Sequence, residues 1–207
     1  MKKEGVKLKL GVQISGRGSN LQALIDACAK PDFPAEIVLV ISNVEGAAGL
    51  QRAAAAGIPT RTIPHKAFSS REAFEEALDA AHRLAGVELI CNAGFMRLMT
   101  PLMIGRWQGR MINIHPSLLP EFPGLDTHAR ALAASHKKSG CTVHFMENEM
   151  DTGQIILQTE VPVLQGDTAE TLAARILEAE HKTYPEAVRL IAEGKIKYRG
   201  QRLGTKG

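Results

Sequence analysis

Cysteine is scarce in this chain: three residues in 207 (Cys28, Cys91 and Cys141), far apart and with no CxxC pair. That excludes a disulfide scaffold and a structural zinc ribbon, and it points to a reducing compartment. Aromatic residues make up only 4%, which leaves few platforms for stacking single-stranded nucleic acid. No apolar run approaches the roughly 18 residues that a membrane span requires. At the N-terminus, Lys7 and Lys9 interrupt the apolar stretch that a signal peptide needs. A cytoplasmic protein with neither a membrane nor a nucleic-acid partner is expected. The formal net charge of +3 does not alter this. Residues 1–10 and 195–207 hold nine of the 25 Lys and Arg against one acid, so residues 11–194 carry a net −5. The basic excess belongs to two solvated ends.

What is present is ordinary globular material, 44% hydrophobic and 23% charged, at a length that suits one domain over residues 1–207. Strand and helix patterns alternate. Val6–Ile14 reads as a strand, SGRGSN as a turn, and Leu21, Leu24, Ile25 and Cys28 repeat at helical spacing. Ile37–Ile41 is a β-branched run suited to burial on both faces. An Ala-rich helix over 46–56 and a Ser-capped helix over 69–84 follow, then strands at 87–92 and 111–114. After Pro116 comes a Pro- and Gly-punctuated loop, a short helix near 128–135, and two strand-like runs, 141–146 and 154–163. These two have no helix between them and are expected to pair antiparallel. A long helix over about 168–192 should kink or break at Pro185. The expected fold is α/β: a doubly wound, mostly parallel sheet with helices on both faces and an antiparallel C-terminal extension.

Three motifs carry chemistry. Gly16-Arg-Gly18-Ser19-Asn20-Leu21 joins a first strand to a first helix, where free backbone N–H groups attract an anion. It fails as a dinucleotide fingerprint, because Leu21 takes the third small position and the next strand ends in Ser42-Asn43. Asn113-Ile-His115-Pro116 places an amide and an imidazole on one face of a strand that Pro116 ends. Such a pair can stabilise an oxyanion and move a proton. Asp151-Thr-Gly153 lies between two strands. It reads as a plain turn, or as a carboxylate folded over the strand end to pair with His115. A single such triplet cannot form an aspartic-protease dyad. Nucleophile elbows, Walker loops and HExxH are absent, and no metal is expected. Cys141 and His144 share a strand and are expected in the core. His65, His82 and His136 are expected to be isolated and exposed.

Together these segments resemble the folate-dependent formyltransferases, through ISGRGSNLQALI (14–25), NAGFMRLMTP (92–101), GRMINIHPSLLPEFPGLDTH (109–128), GCTVHFMENEMDTGQIILQ (140–158) and AEHKTYPEAV (179–188). The likeness covers nearly the whole chain, and INIHPSLLP with a downstream DxG is specific. It implies transfer of the formyl group of 10-formyltetrahydrofolate, as co-substrate, to the amine of glycinamide ribonucleotide in purine biosynthesis. It also implies a phosphate-binding half over about 8–108 and a catalytic, folate-binding half over about 109–198. Carried over residue by residue, it makes Asn113, His115 and Asp151 catalytic. Gly18, Ser19, Asn20 and Glu180 fall to the ribonucleotide. Arg71, Met96, Arg97, Leu98 and Met99, with Asn113, fall to the folate. Small-molecule substrates and a monomer or homodimer are expected.

Asp126, Ser139 and Leu177 depart from residues usual in relatives. Family members that pass the formyl group to water carry an N-terminal regulatory domain, and those that pass it to a charged tRNA carry a basic C-terminal barrel. A first strand starting by residue 10, and about 15 residues after the last helix, are expected to set this chain apart from both. A non-catalytic binding module would be expected to lack one of Asn113, His115 and Asp151, and all three are present.

Overall fold

The computed structural model describes residues 5–200. Among them, β1 (Leu8–Ile14), β2 (Ala35–Ser42), β3 (Thr60–Thr62), β4 (Leu89–Asn92), β5 (Met111–His115), β6 (Lys138–Phe145) and β7 (Ile155–Pro162) form one sheet in the order β3-β2-β1-β4-β5-β6-β7. The first five strands pair in parallel, while β6 runs antiparallel to β5 and β7 antiparallel to β6. The expected sheet, with its antiparallel extension, is the one observed. From β1 the chain winds outward to β2 and β3, then returns to β4 on the other side. Open α/β sheets hold ligands at this reversal, beyond the carboxyl ends of the strands.

Helices cover both faces because both faces are apolar. Successive residues of β4 divide between two cores, Leu89 and Cys91 in one and Ile90 in the other. Leu21, Leu24 and Ile25 of α1 (Ser19–Cys28), Ala53 of α2 (Ala48–Ala55) and Tyr184, Ala187 and Val188 of α6 (Ala169–Ala192) fill the first. Phe74 and Leu78 of α3 (Arg71–Leu84), Met103 and Ile104 of α4 (Pro101–Arg106), and the adjoining Trp107 fill the second. A third cluster joins Ala131 of α5 (Thr127–Ala133) to Cys141, Leu172 and Ile176.

Local signals start the helices where expected. Ser70 caps α3 by accepting from the Ala73 N–H at 3.0 Å, with Glu72 in the first turn. Such a cap is worth about 1 kcal/mol. The α6 helix opens on a capping box between Thr168 and Thr171. It then continues through Pro185 without the expected break. Interior proline costs about 3 kcal/mol. Here Ile176, Tyr184, Ala187 and Val188, all fully buried, hold both halves against the sheet.

His82 corrects an expectation. It is fully buried, 2.8 Å from Gln13 through Nε2 and edge-on to Trp107 at 5.8 Å. Gly11 makes room for it, since a Cβ there would lie 2.5 Å from His82 Nδ1. Burial pulls its pKa down to about 3, against a partial opposing pull from Asp79. His65 and His136 are half-buried rather than isolated: His65 meets Asn43 at 3.2 Å, and His136 pairs with Glu121 at 3.3 Å. Of the basic ends, Lys2, Lys3 and residues 201–207 lie outside the described residues.

Candidate active site

Alternation along β5 sends Ile112 and Ile114 into the core and turns Asn113 and His115 the other way. On β6 the antiparallel register sets His144 opposite Asn113 and Thr142 opposite His115. One polar strip thus crosses the two strands at the carboxyl end of β5. The loop between β6 and β7 brings Asp151 to it. Gly153 lets that loop pass close, because a Cβ there would overlap the Phe145 carbonyl oxygen. Asp151 itself takes a left-handed conformation, φ 59°.

The result is a cluster around one carboxylate. Asp151 Oδ2 lies 3.4 Å from His115 Nδ1 and accepts the Gly124 N–H at 2.9 Å. Its Oδ1 is 3.7 Å from His144 Nε2. His115 is 6% exposed, and its other nitrogen, Nε2, donates to the Phe122 carbonyl at 3.0 Å. A carbonyl only accepts, so Nε2 carries a hydrogen and Nδ1 is the atom turned toward Asp151.

The His144 side chain lies on a core strand as expected, 2% exposed, but it is not without partners. Its Nδ1 donates to the Phe145 carbonyl at 2.9 Å, which leaves Nε2 to accept from Asn113 Nδ2 at 3.4 Å. Burial lowers its pKa and the neighbouring His115 adds to that, while the Phe145 carbonyl and Asp151 oppose. A neutral His144 fixes which way the Asn113 amide points. The strand alternation of Gly140, Thr142 and His144 could have flagged it, but only once the register was known.

Gly18 is left-handed, φ 71°, and caps α1 with no side-chain bond, so the N–H groups of the first turn have no intrahelical partners. Asn20 Nδ2 donates to Glu180 Oε2 at 2.6 Å, while Asn20 Oδ1 is buried without a partner among the described residues. Burial raises the Glu180 pKa, and Asn20 partly opposes it. Gly18 answers first to packing, because a Cβ there would lie 2.7 Å from Gly49 Cα. A groove of about 600 Å³ runs from Ser19 along α1 to Lys30, edged by Arg52, Lys182 and Arg189.

Met96, Arg97, Leu98 and Met99 follow β4. The Met96 N–H donates to Ser15 Oγ at 2.8 Å, and Ser15 Oγ donates to Asn43 Oδ1 at 2.6 Å. At the far end the Thr100 N–H donates to Glu75 at 2.6 Å. Met96 and Leu98 are exposed at 68% and 58%, while Met99 is buried, so this segment offers an apolar lip. Arg71 stands one helical turn before Glu75, exposed, and no described contact joins it to the lip. Of the departures, Asp126 precedes α5 without a side-chain cap bond, Ser139 is buried in β6, and Leu177 lies on α6 three residues before Glu180. Among the described residues, no group of three or more His, Cys, Asp or Glu is placed to hold a metal.

Residues 8–188 match the family described as formyl transferase, and the chain belongs to that family. It is 42% identical over 207 residues to the phosphoribosylglycinamide formyltransferase of Escherichia coli (strain K12), covering 97% of this chain and 98% of that one. It is also 50% identical over 190 residues to the trifunctional purine biosynthetic protein adenosine-3 of Gallus gallus, covering 92% of this chain. The chain spans only 19% of that longer relative. Among solved structures, glycinamide ribonucleotide transformylase 1 from Symbiobacterium toebii superposes with a TM-score of 0.93 at 46% identity, covering 98% of this chain and 97% of that one.

Proposed function

We propose that this chain transfers the formyl group of 10-formyltetrahydrofolate to the amine of glycinamide ribonucleotide, a step of de novo purine biosynthesis. The observation that carries the reading is the cluster of Asn113, His115 and Asp151 at the carboxyl end of β5, in a chain whose full-length relative is a phosphoribosylglycinamide formyltransferase. When the amine attacks, the formyl carbon becomes tetrahedral and its oxygen gains negative charge. Hydrogen-bond donors already aimed at that oxygen lower the barrier. Asn113 supplies one N–H, its amide oriented by His144. His115, with a hydrogen on each ring nitrogen, supplies another from Nδ1, its ring held by the Phe122 carbonyl.

The attacking nitrogen must lose a proton and the departing folate nitrogen must gain one. Asp151, 3.4 Å from His115 Nδ1, takes the first, and the Asp151–His115 pair passes a proton to the second as the carbon–nitrogen bond breaks. Gly18, Ser19 and Asn20 hold the ribonucleotide phosphate on backbone N–H groups, and Glu180 accepts from the ribose hydroxyls. The apolar lip of Met96–Met99, with Arg71, holds the folate. The test follows deformylated folate by absorbance with and without glycinamide ribonucleotide. Turnover that requires the ribonucleotide is expected. Equal turnover without it would make the chain a deformylase and overturn the reading.

A further inference from the structure

His115 depends on one short turn for its orientation. The Phe122 carbonyl accepts from its Nε2 at 3.0 Å, and the Gly124 N–H holds Asp151 Oδ2, the oxygen facing its Nδ1 at 3.4 Å. Both ring nitrogens are therefore addressed, directly or through Asp151, by residues 122–124. That turn is not self-supporting. Phe122 has φ 52°, a left-handed value that a bulky residue holds only when its surroundings impose it, and Asp126 follows at φ 56°. Leu125 at its tip is 73% exposed and contributes little burial.

One side chain reaches across the turn. Arg130, in the last turn of α5, donates from Nη1 to the Pro123 carbonyl at 2.6 Å and to the Leu125 carbonyl at 3.2 Å. Its guanidinium carbon also lies 5.4 Å from the centre of the Phe122 ring. His136 closes the other edge of that ring at 4.8 Å and is paired with Glu121. From beneath, Ser117 Oγ donates to the Glu121 carbonyl at 2.6 Å and the Phe122 carbonyl at 3.2 Å. Arg130 bridges the carbonyls on either side of Gly124.

We propose that Arg130 is a positioning residue for His115, clamping the 122–125 turn so that the Phe122 carbonyl and the Gly124 N–H keep the imidazole and Asp151 in register. The inference rests on the reading of His115 as the group at the reacting carbon. Arg130 contacts the turn and not the imidazole, so it acts through the turn. Misplacing a reacting group by a fraction of an ångström is costly in rate while leaving ground-state binding intact.

Arg130→Leu removes both hydrogen bonds and the charge over Phe122. Its kcat should fall about tenfold, with both KM values within about twofold of wild type. Arg130 is exposed, so the melting temperature should hold. If that variant does not fold, Arg130→Gln makes the same comparison. Arg130→Lys should recover most of the loss, because both hydrogen bonds leave from a single nitrogen that an ammonium can replace. A second readout needs no turnover: in the imidazole 15N–1H spectrum of the free protein, the His115 Nε2–H signal should move or broaden in Arg130→Leu and return in Arg130→Lys. A kcat within twofold of wild type, or an unmoved His115 signal, overturns the proposal. An inactive wild type would instead sink the functional reading, and the His115 signal alone would then decide this one.

Discussion

A carboxylate within 4 Å of two imidazoles is a costly arrangement unless each ring has a fixed proton and a fixed partner. Here the partners are backbone carbonyls. Phe122 takes the Nε2–H of His115 and Phe145 takes the Nδ1–H of His144, so the rings present different nitrogens to Asp151. On the proposed mechanism that asymmetry separates the duties: His144 orients the Asn113 amide, and His115 handles the proton. Asn113→Ala removes one donor to the developing oxyanion and should lower kcat on the order of a hundredfold. Asp151→Asn should lower it at least as far, with little change in either KM. Steady-state kinetics on the two variants check this; a normal kcat in either would reduce that residue to a strand cap or a turn. At this scale the sequence was legible where a motif repeats a known spacing. Asn113, His115 and Asp151 are such cases. His144 and Arg130 were not, since one needs the β5–β6 register and the other a loop's course.

Elements were legible in proportion to their length and the strength of their caps. The Ser70 and Thr168 starts, the β-branched β2 and the antiparallel β6–β7 pair all followed from pattern. Two short elements did not. β3 is three exposed residues at the sheet edge, with no buried face to set a period. α4 is six residues with Pro101 in its first turn, hidden inside a segment that reads as a motif. His82 was misread although its signal was available, because Phe74, Leu78 and His82 fall at helical spacing on one face of α3. Gly18, in the turn before α1, also changes meaning once the elements are placed. Gly18 and Gly49 let the turn and α2 approach backbone to backbone, and a Cβ on Gly49 would sit 2.5 Å from Ile14 Cδ1. A bulky side chain at residue 18 therefore strikes α2 before it meets any ligand.

For the molecule as a whole, His82 ties stability to pH. Its folded pKa of about 3 lies below the ordinary value of 6.5, so the folded state refuses a proton that the unfolded chain takes up. The stabilisation of the folded state is complete above pH 6.5 and is lost as pH falls toward 3. The slope approaches about 1.4 kcal/mol per pH unit, or roughly 2 kcal/mol by pH 5. Urea unfolding at pH 7 and pH 5 should show that loss in wild type and a smaller one in His82→Gln. Equal losses in the two proteins would mean that another group carries the acid sensitivity.

The whole account stands on where the one-carbon unit goes. With 10-formyltetrahydrofolate labelled with 13C in the formyl group and glycinamide ribonucleotide present, the protein should deliver the label to the ribonucleotide amine as a formamide signal, and formate should stay at the level of the enzyme-free control. Label recovered as formate, or left on the folate while both substrates bind, would contradict it.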